Sequence, residues 1–343
     1  MARIVVVSYR LGGSDGVAIE AAKWIDALRM LGHRVTSVAG EGTPDIVVVG
    51  LAITDTEGPS EAALASALDG ADLVIVENVA SLPLNERARD VLYHVLEGRR
   101  ALFHHHDLSW QRSATARLAG PRDQPAWRHV TINNLSRREL AERGIESTTI
   151  MNCFECDPPP GNRHATRRDL DVDEEPLLLV ATRALERKNI AGALELCRSL
   201  GAIMWLLGPA EDDYGPQLDV LVRTSGVEVR RGLAAHTIHD AYAASDLVVM
   251  ASTWEGFGNP VLESVTHRRP LALYPYPVAQ EIRGYGFDFF DLHDVTSIAS
   301  FLGAPNEDLF EKNLAVARAH FNLATLPERL DELLISMGIA PSY

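Results

Sequence analysis

The chain has 343 residues, 46% hydrophobic and 23% charged, which supplies apolar material for two cores of ordinary size and excludes a disordered polymer. A formal net charge of −15 argues against non-specific DNA or RNA binding, because affinity for a polyphosphate needs Lys and Arg to displace counterions. Cysteines number three, Cys153, Cys156 and Cys197, and so low and odd a count does not suggest a disulfide framework.

The N-terminal segment ARIVVVSYRLGG passes from an apolar strand (4–8) into a glycine-rich loop, with no basic leader followed by a long apolar region. No apolar run approaches the roughly 18 residues that cross a bilayer, so a cytoplasmic protein is expected. Gly12, Gly13 and Gly16 lie between this strand and an amphipathic helix at 17–32, but their spacing is not the G-x-G-x-x-G of a dinucleotide-binding loop. Strand-like runs follow at 35–39, 46–50, 72–77, 100–105 and 130–134, with helical patterns between them. Their continuous Val and Ile content fits a parallel sheet buried on both faces, so residues 1–152 read as one β-α domain.

Within that domain, FHHHDLSWQR (103–112) ends a strand in three histidines. Strand alternation puts His104 and His106 on one side and His105 on the other. Between Arg99 and Arg143, nine arginines stand against Asp107, Asp123, Glu139 and Glu142. Solvated helix faces are the plain reading of that excess, with an anionic acceptor or a peripheral membrane contact as the alternative.

Residues 153–175, with Pro158, Pro159, Pro160 and Gly161 amid dense charge, read as an interdomain linker. Strands then recur at 177–182, 202–208, 227–232 and 246–252, with helices at 190–200 and near 236–244, giving a second β-α domain at 176–322. Arg183 and Lys188 follow its first strand, where two cations could neutralise a diphosphate. A last amphipathic stretch, LPERLDELLISMG (326–338), lies in a C-terminal helical portion (323–343) that could pack on either domain, with a return to the N-terminal domain as the expectation.

The segment DLVVMASTWEGFGNPVLESV (246–265) carries the most chemistry. A buried strand leads into a loop with Glu255, Gly256, Phe257 and Gly258, and Asn259 and Pro260 are an N-cap and first helical residue. Glycines allow close backbone approach and a helix start offers unpaired N–H groups, a pairing suited to a diphosphate, with Glu255 and Glu263 as hydroxyl acceptors on either side. A plain βα turn with two solvent-facing glutamates is the alternative.

EGFGNPVLE (255–263) resembles the paired-glutamate motif of the retaining glycosyltransferases of family 4, which have an α/β GT-B fold of two facing Rossmann-like domains with a central cleft. LGHRVTSV (31–38), INNLSRREL (132–140) and TTIMNCFE (148–155) resemble further family segments in the same order, though Cys153 stands where the family usually has Gly. The resemblance implies that Glu255 holds hydroxyls of a donor sugar and Glu263 the ribose. It places the amides of Phe257, Gly258 and Asn259 on the sugar and diphosphate, and Arg183 and Lys188 on the leaving diphosphate. It makes His106 the active-site histidine, with His104 the alternative, and gives the Gly12–Gly13–Gly16 loop to donor phosphates and acceptor. Gly208 falls in a segment expected to meet the nucleotide base.

By the same resemblance no metal is needed, the two cations replacing it; a site built from His104, His106, Cys153 and Cys156 would lack a second Cys pair, and structural cysteines are the better reading. The expected donor is GDP-mannose, then UDP-glucose, and the acceptor a saccharide or small molecule. The alternatives are a non-hydrolysing nucleotide-sugar epimerase and a nucleotide-sugar-binding protein without catalysis.

Overall fold

The computed structural model describes residues 1–339 other than Ser14, Asp212 and Ala234, and divides into two compact units. The first is Met1–Asn152 together with 324–343, the second Cys153–Leu323.

The first unit runs β1 (Arg3–Leu11), α1 (Gly16–Met30), β2 (Arg34–Gly42), β3 (Ile46–Val47), α2 (Glu61–Ala67), β4 (Leu73–Glu77), α3 (Glu86–Leu96), β5 (Ala101–His105), β6 (Trp127–Thr131), α4 (Asn134–Ala141) and β7 (Thr148–Thr149). Its strands form one parallel sheet in the order β3-β2-β1-β4-β5-β6-β7. The order reverses between β1 and β4, so a crevice is expected beyond the carboxyl ends of those strands. Val7, Val76 and Phe103, from β1, β4 and β5, are fully buried in the core cluster. Side-chain carboxylates and amides start the helices: Asp15 caps α1, Asn85 caps α3 and Asn133 caps α4.

The second unit runs α5 (Arg163–Asp169), β8 (Leu177–Val180), α6 (Ile190–Leu200), β9 (Ile203–Leu206), α7 (Gly215–Ser225), β10 (Val229–Arg231), α8 (Ile238–Ala244), β11 (Leu247–Met250), α9 (Pro260–Thr266), β12 (Leu271–Leu273), α10 (Pro277–Arg283), β13 (Phe290–Asp291), α11 (Val295–Gly303) and α12 (Glu307–His320). This sheet too is parallel, ordered β10-β9-β8-β11-β12-β13, and it reverses between β8 and β11. The final helix, α13 (Leu326–Ser336), packs on α1 in the first unit.

Two sequence expectations are corrected. The apolar run 46–50 pairs only at Ile46 and Val47, on the sheet edge, and Val49 is 82% exposed. The segment 153–175 is not an irregular linker, because it contains α5 and belongs to the second unit. Its arginines explain the order. Arg163 donates to the carbonyls of Ala243, Ala244 and Ser245 at the end of α8, and Arg167 joins it on Asp246. Cations satisfying the last carbonyls of one helix dock the other against it. Dense charge there is fixed charge.

Candidate active site

In the second unit, the residues singled out from the sequence gather at the carboxyl ends of β8 and β11. Lys188, in a short 3₁₀ turn after β8, is only 8% exposed, and its ammonium lies 2.5 Å from Glu255 Oε1. The other carboxylate oxygen, Oε2, accepts from Arg187 at 2.8 Å, and Arg187 also donates to the Trp254 carbonyl. Burial alone would raise the Glu255 carboxyl, but Lys188 and Arg187 outweigh it and hold it below its ordinary range. Glu255 is thus an ionised anchor between two cations.

Arg183 stands apart from that triad, paired to Glu211 at 2.5 Å. Gly208 explains the position of Arg183: a Cβ on Gly208 would come within 2.5 Å of Arg183 Cα, so only glycine lets the loop after β9 lie this close. The Gly208 amide donates to the Thr182 carbonyl beside it.

The turn before α9 is set by Gly258, whose φ is +90°, and an added Cβ would meet the Tyr276 hydroxyl at 2.2 Å. That hydroxyl donates to the Phe257 carbonyl at 2.9 Å, and the buried Phe257 ring stacks on Phe154. Asn259 is not the side-chain cap expected of it. Its backbone is already helical (φ −46°, ψ −40°) and its side chain makes no capping bond, because the first turn closes one residue earlier, from the Val261 amide to the Gly258 carbonyl. Glu263 accepts from the Tyr242 hydroxyl of α8 at 2.6 Å.

The first unit holds the remaining residues. Gly12 and Gly13 follow β1, and Gly16 opens α1. One amide of that helix start already meets a carboxylate, since Asp15 accepts from the Ala18 amide and pairs with Arg10. His104 Nδ1 and His106 Nε2 both lie on Glu77 Oε2, at 2.9 and 2.7 Å. His105 points the other way, to His129 at 2.9 Å. Among the described residues, Glu77, His104 and His106 are the one group with ligand atoms close enough, within 4.8 Å of one another, to hold a metal ion. Cys153 and Cys156 are both buried, and the Cys156 thiol, pushed up to about 11 by burial, faces the Phe154 carbonyl.

Sequence reasoning missed Glu77, Arg187, Glu211 and Tyr242. For Glu77 a signal existed: an acidic residue closes the otherwise apolar strand LVIVE at the sheet's carboxyl edge. The others pair across 21 to 68 residues, a distance that local pattern does not encode.

No family model matches the chain. It is 26% identical to the mannosylglucosylglycerate synthase of Thermotoga maritima, over 97% of this chain and 98% of that protein. It is 25% identical to the protein of the same name from Petrotoga mobilis, over 84% of this chain and 86% of the relative. Among solved structures it resembles HepE of Anabaena in complex with UDP and glucose (TM-score 0.79, 17% identity, 98% of this chain and all of the other). It also resembles the sucrose-phosphate synthase of Thermosynechococcus elongatus (TM-score 0.75, 14% identity, 98% and 99%). Among the described residues no helix is long and apolar enough to cross a membrane. The solved structures fix the fold as GT-B, and the two relatives, matched along most of their length, support a glycosyltransferase acting on nucleotide sugars.

Proposed function

We propose that this chain is a retaining hexosyltransferase that moves mannose from GDP-mannose to a small anionic saccharide of the glucosylglycerate kind. The buried Lys188–Glu255–Arg187 triad at the β8/β11 reversal carries the reading, because it keeps cations fixed where a leaving diphosphate needs them. The names of the two relatives support mannose and the glycerate-bearing acceptor. UDP-glucose is the second donor, favoured by HepE having been solved with it.

In this reading Arg183, paired with Glu211, and Lys188 neutralise the diphosphate, and Glu255 holds Lys188 ready while meeting sugar hydroxyls. Glu263, oriented by Tyr242, takes the ribose, and the Phe257–Gly258–Asn259 backbone meets sugar and diphosphate. Gly208 belongs to the segment near the base. His106 contacts the donor sugar. Because Asp15 already faces the start of α1, the Gly12–Gly13–Gly16 loop suits acceptor hydroxyls better than phosphate. The acceptor oxygen bonds to the anomeric carbon as the bond to phosphate breaks, and the acceptor proton passes to the leaving phosphate on the same face. No protein nucleophile and no metal are required.

The test is a thermal-shift series with GDP, UDP and ADP, followed by NMR of GDP-mannose with and without glucosylglycerate. A GDP-selective rise in Tm and an α-linked product from the α-configured donor are expected. No shift with any nucleotide sinks the reading, and donor epimerised without acceptor replaces the transferase with an epimerase.

A further inference from the structure

Glu77 closes β4 with its side chain wholly buried, and a lone carboxylate there would be costly to desolvate. A single oxygen, Oε2, takes both His104 and His106, while Oε1 has no partner among the described residues. The next residue, Asn78, adopts a left-handed φ of 62°, and its Oδ1 accepts from the backbone amides of His106 and Asp107 at 3.1 Å each. One dipeptide therefore fixes both the ring and the main chain of His106. His104 is stacked on Trp24 at 4.0 Å and lies 4.4 Å from His106, so neither imidazole has room to turn. The second ring nitrogen of His106, Nδ1, takes no hydrogen bond from the described residues and is the position left for a ligand.

We propose that Glu77 is a positioning residue of the transfer reaction, locking the His106 ring through Oε2 so that Nδ1–H is the atom offered to a substrate oxygen. The inference rests on the reading above that His106 contacts the donor sugar.

The surrounding charges agree with it. Burial works against a charged His106, but Glu77 outweighs it, helped by Glu20 of α1 and by Asp107, and the imidazolium is favoured above its ordinary range. Glu20 is itself bridged to Lys23. For His104 burial wins, so that ring stays neutral, with Nδ1–H on Glu77. Burial would raise Glu77, yet the two imidazoles bring its carboxyl down to about 2. A cation in place of the protons fits less well. His104 Nε2 is buried without a partner among the described residues, whereas an imidazole that binds metal through one nitrogen is ordinarily oriented by an acceptor on the other.

Steady-state transfer by the wild type, Glu77→Gln, His106→Ala and the double variant tests this. Glu77→Gln is expected to lower kcat at least ~10-fold with donor KM within about 2-fold, and to move the alkaline limb of kcat to lower pH, since the amide no longer favours the imidazolium. The double variant should be no slower than His106→Ala alone, and Glu77→Asp should recover part of the rate. Additive losses, or an unmoved alkaline limb, overturn the proposal. Should Glu77→Gln not fold, NMR of isotope-labelled histidines in the wild type decides: His106 protonated on both nitrogens above the ordinary pKa of about 6.5 supports it, and a neutral His106 overturns it. An equimolar metal ion in the purified protein also overturns it. Failure of the functional reading looks different, as a wild type that binds no nucleotide and transfers nothing.

Discussion

Glu255 illustrates how much of a residue's role its own neighbours set. A glutamate in a glycine-rich turn reads as a hydroxyl acceptor, and the structure adds that it is the counter-charge for two cations, one of them as buried as itself. Removing it would leave Lys188 and Arg187 facing each other without an anion. Breaking a buried pair from one side costs about 3–5 kcal/mol, and misplacing a charge that stabilises a leaving group costs about 10²-fold in rate. Glu255→Ala is therefore expected to lower Tm and to reduce kcat by at least ~100-fold, a loss larger than that in nucleotide affinity. Calorimetry and transfer assays on the same preparation check this, and equal losses in binding and kcat would contradict a role at the sugar. Lys188 and Glu255 were legible in the sequence because they stand at strand ends beside recognisable turns. Arg187 was not, since nothing in ERKN shows that both of its cations turn onto the same distant carboxylate.

At the scale of elements, most strands were legible because a parallel sheet buried on both faces demands unbroken apolar runs, as in LVIVE and LVVM. The failures have physical causes. IVVVG has the composition of a strand but reaches the sheet edge with only two paired residues, and α5 is stabilised by arginines on another helix's carbonyls rather than by an apolar stripe. The packing of α8 against α9 makes a prediction of its own. His267, just after α9, stacks on Tyr242, donates from Nδ1 to the Glu263 carbonyl, and accepts at Nε2 from His239. Burial first, then His239 and Arg269, hold its pKa at about 4 despite that backbone bond. An unfolded imidazole takes its proton near 6.5, so between about 6.5 and about 4 the unfolded chain binds the extra proton and stability falls as pH falls, by up to about 3 kcal/mol at the lower end. His267→Gln, which cannot take that proton, should lose less Tm than the wild type on acidification from neutral pH. A wild type and variant with parallel pH–Tm curves would remove His267 as the cause.

Across the whole molecule the chain is not divided where a linear reading would cut it. The second unit ends at Leu323, and the last helix returns to the first, where Leu326, Leu330, Leu333 and Leu334 are buried and α13 packs on α1. At about 1.5–3 kcal/mol for each buried leucine, this helix contributes an amount comparable to the ~5–15 kcal/mol by which a domain is stable at all. The second unit keeps its own core around Leu178, Met204 and Val249 without it. A chain ending at Leu323 should therefore lose the cooperative unfolding of the first unit while the second still melts as a unit and still responds to GDP. The tryptophans separate the two signals, with Trp24, Trp110 and Trp127 in the first unit and Trp205 and Trp254 in the second, so fluorescence of variants keeping one set follows each melt. An unchanged first-unit transition would mean that α1 holds its face without α13. If that transition is lost while nucleotide binding persists, nucleotide binding and the folding of the first unit are separable properties of this chain, as the proposed nucleotide contacts of Lys188 and Glu263 in the second unit predict.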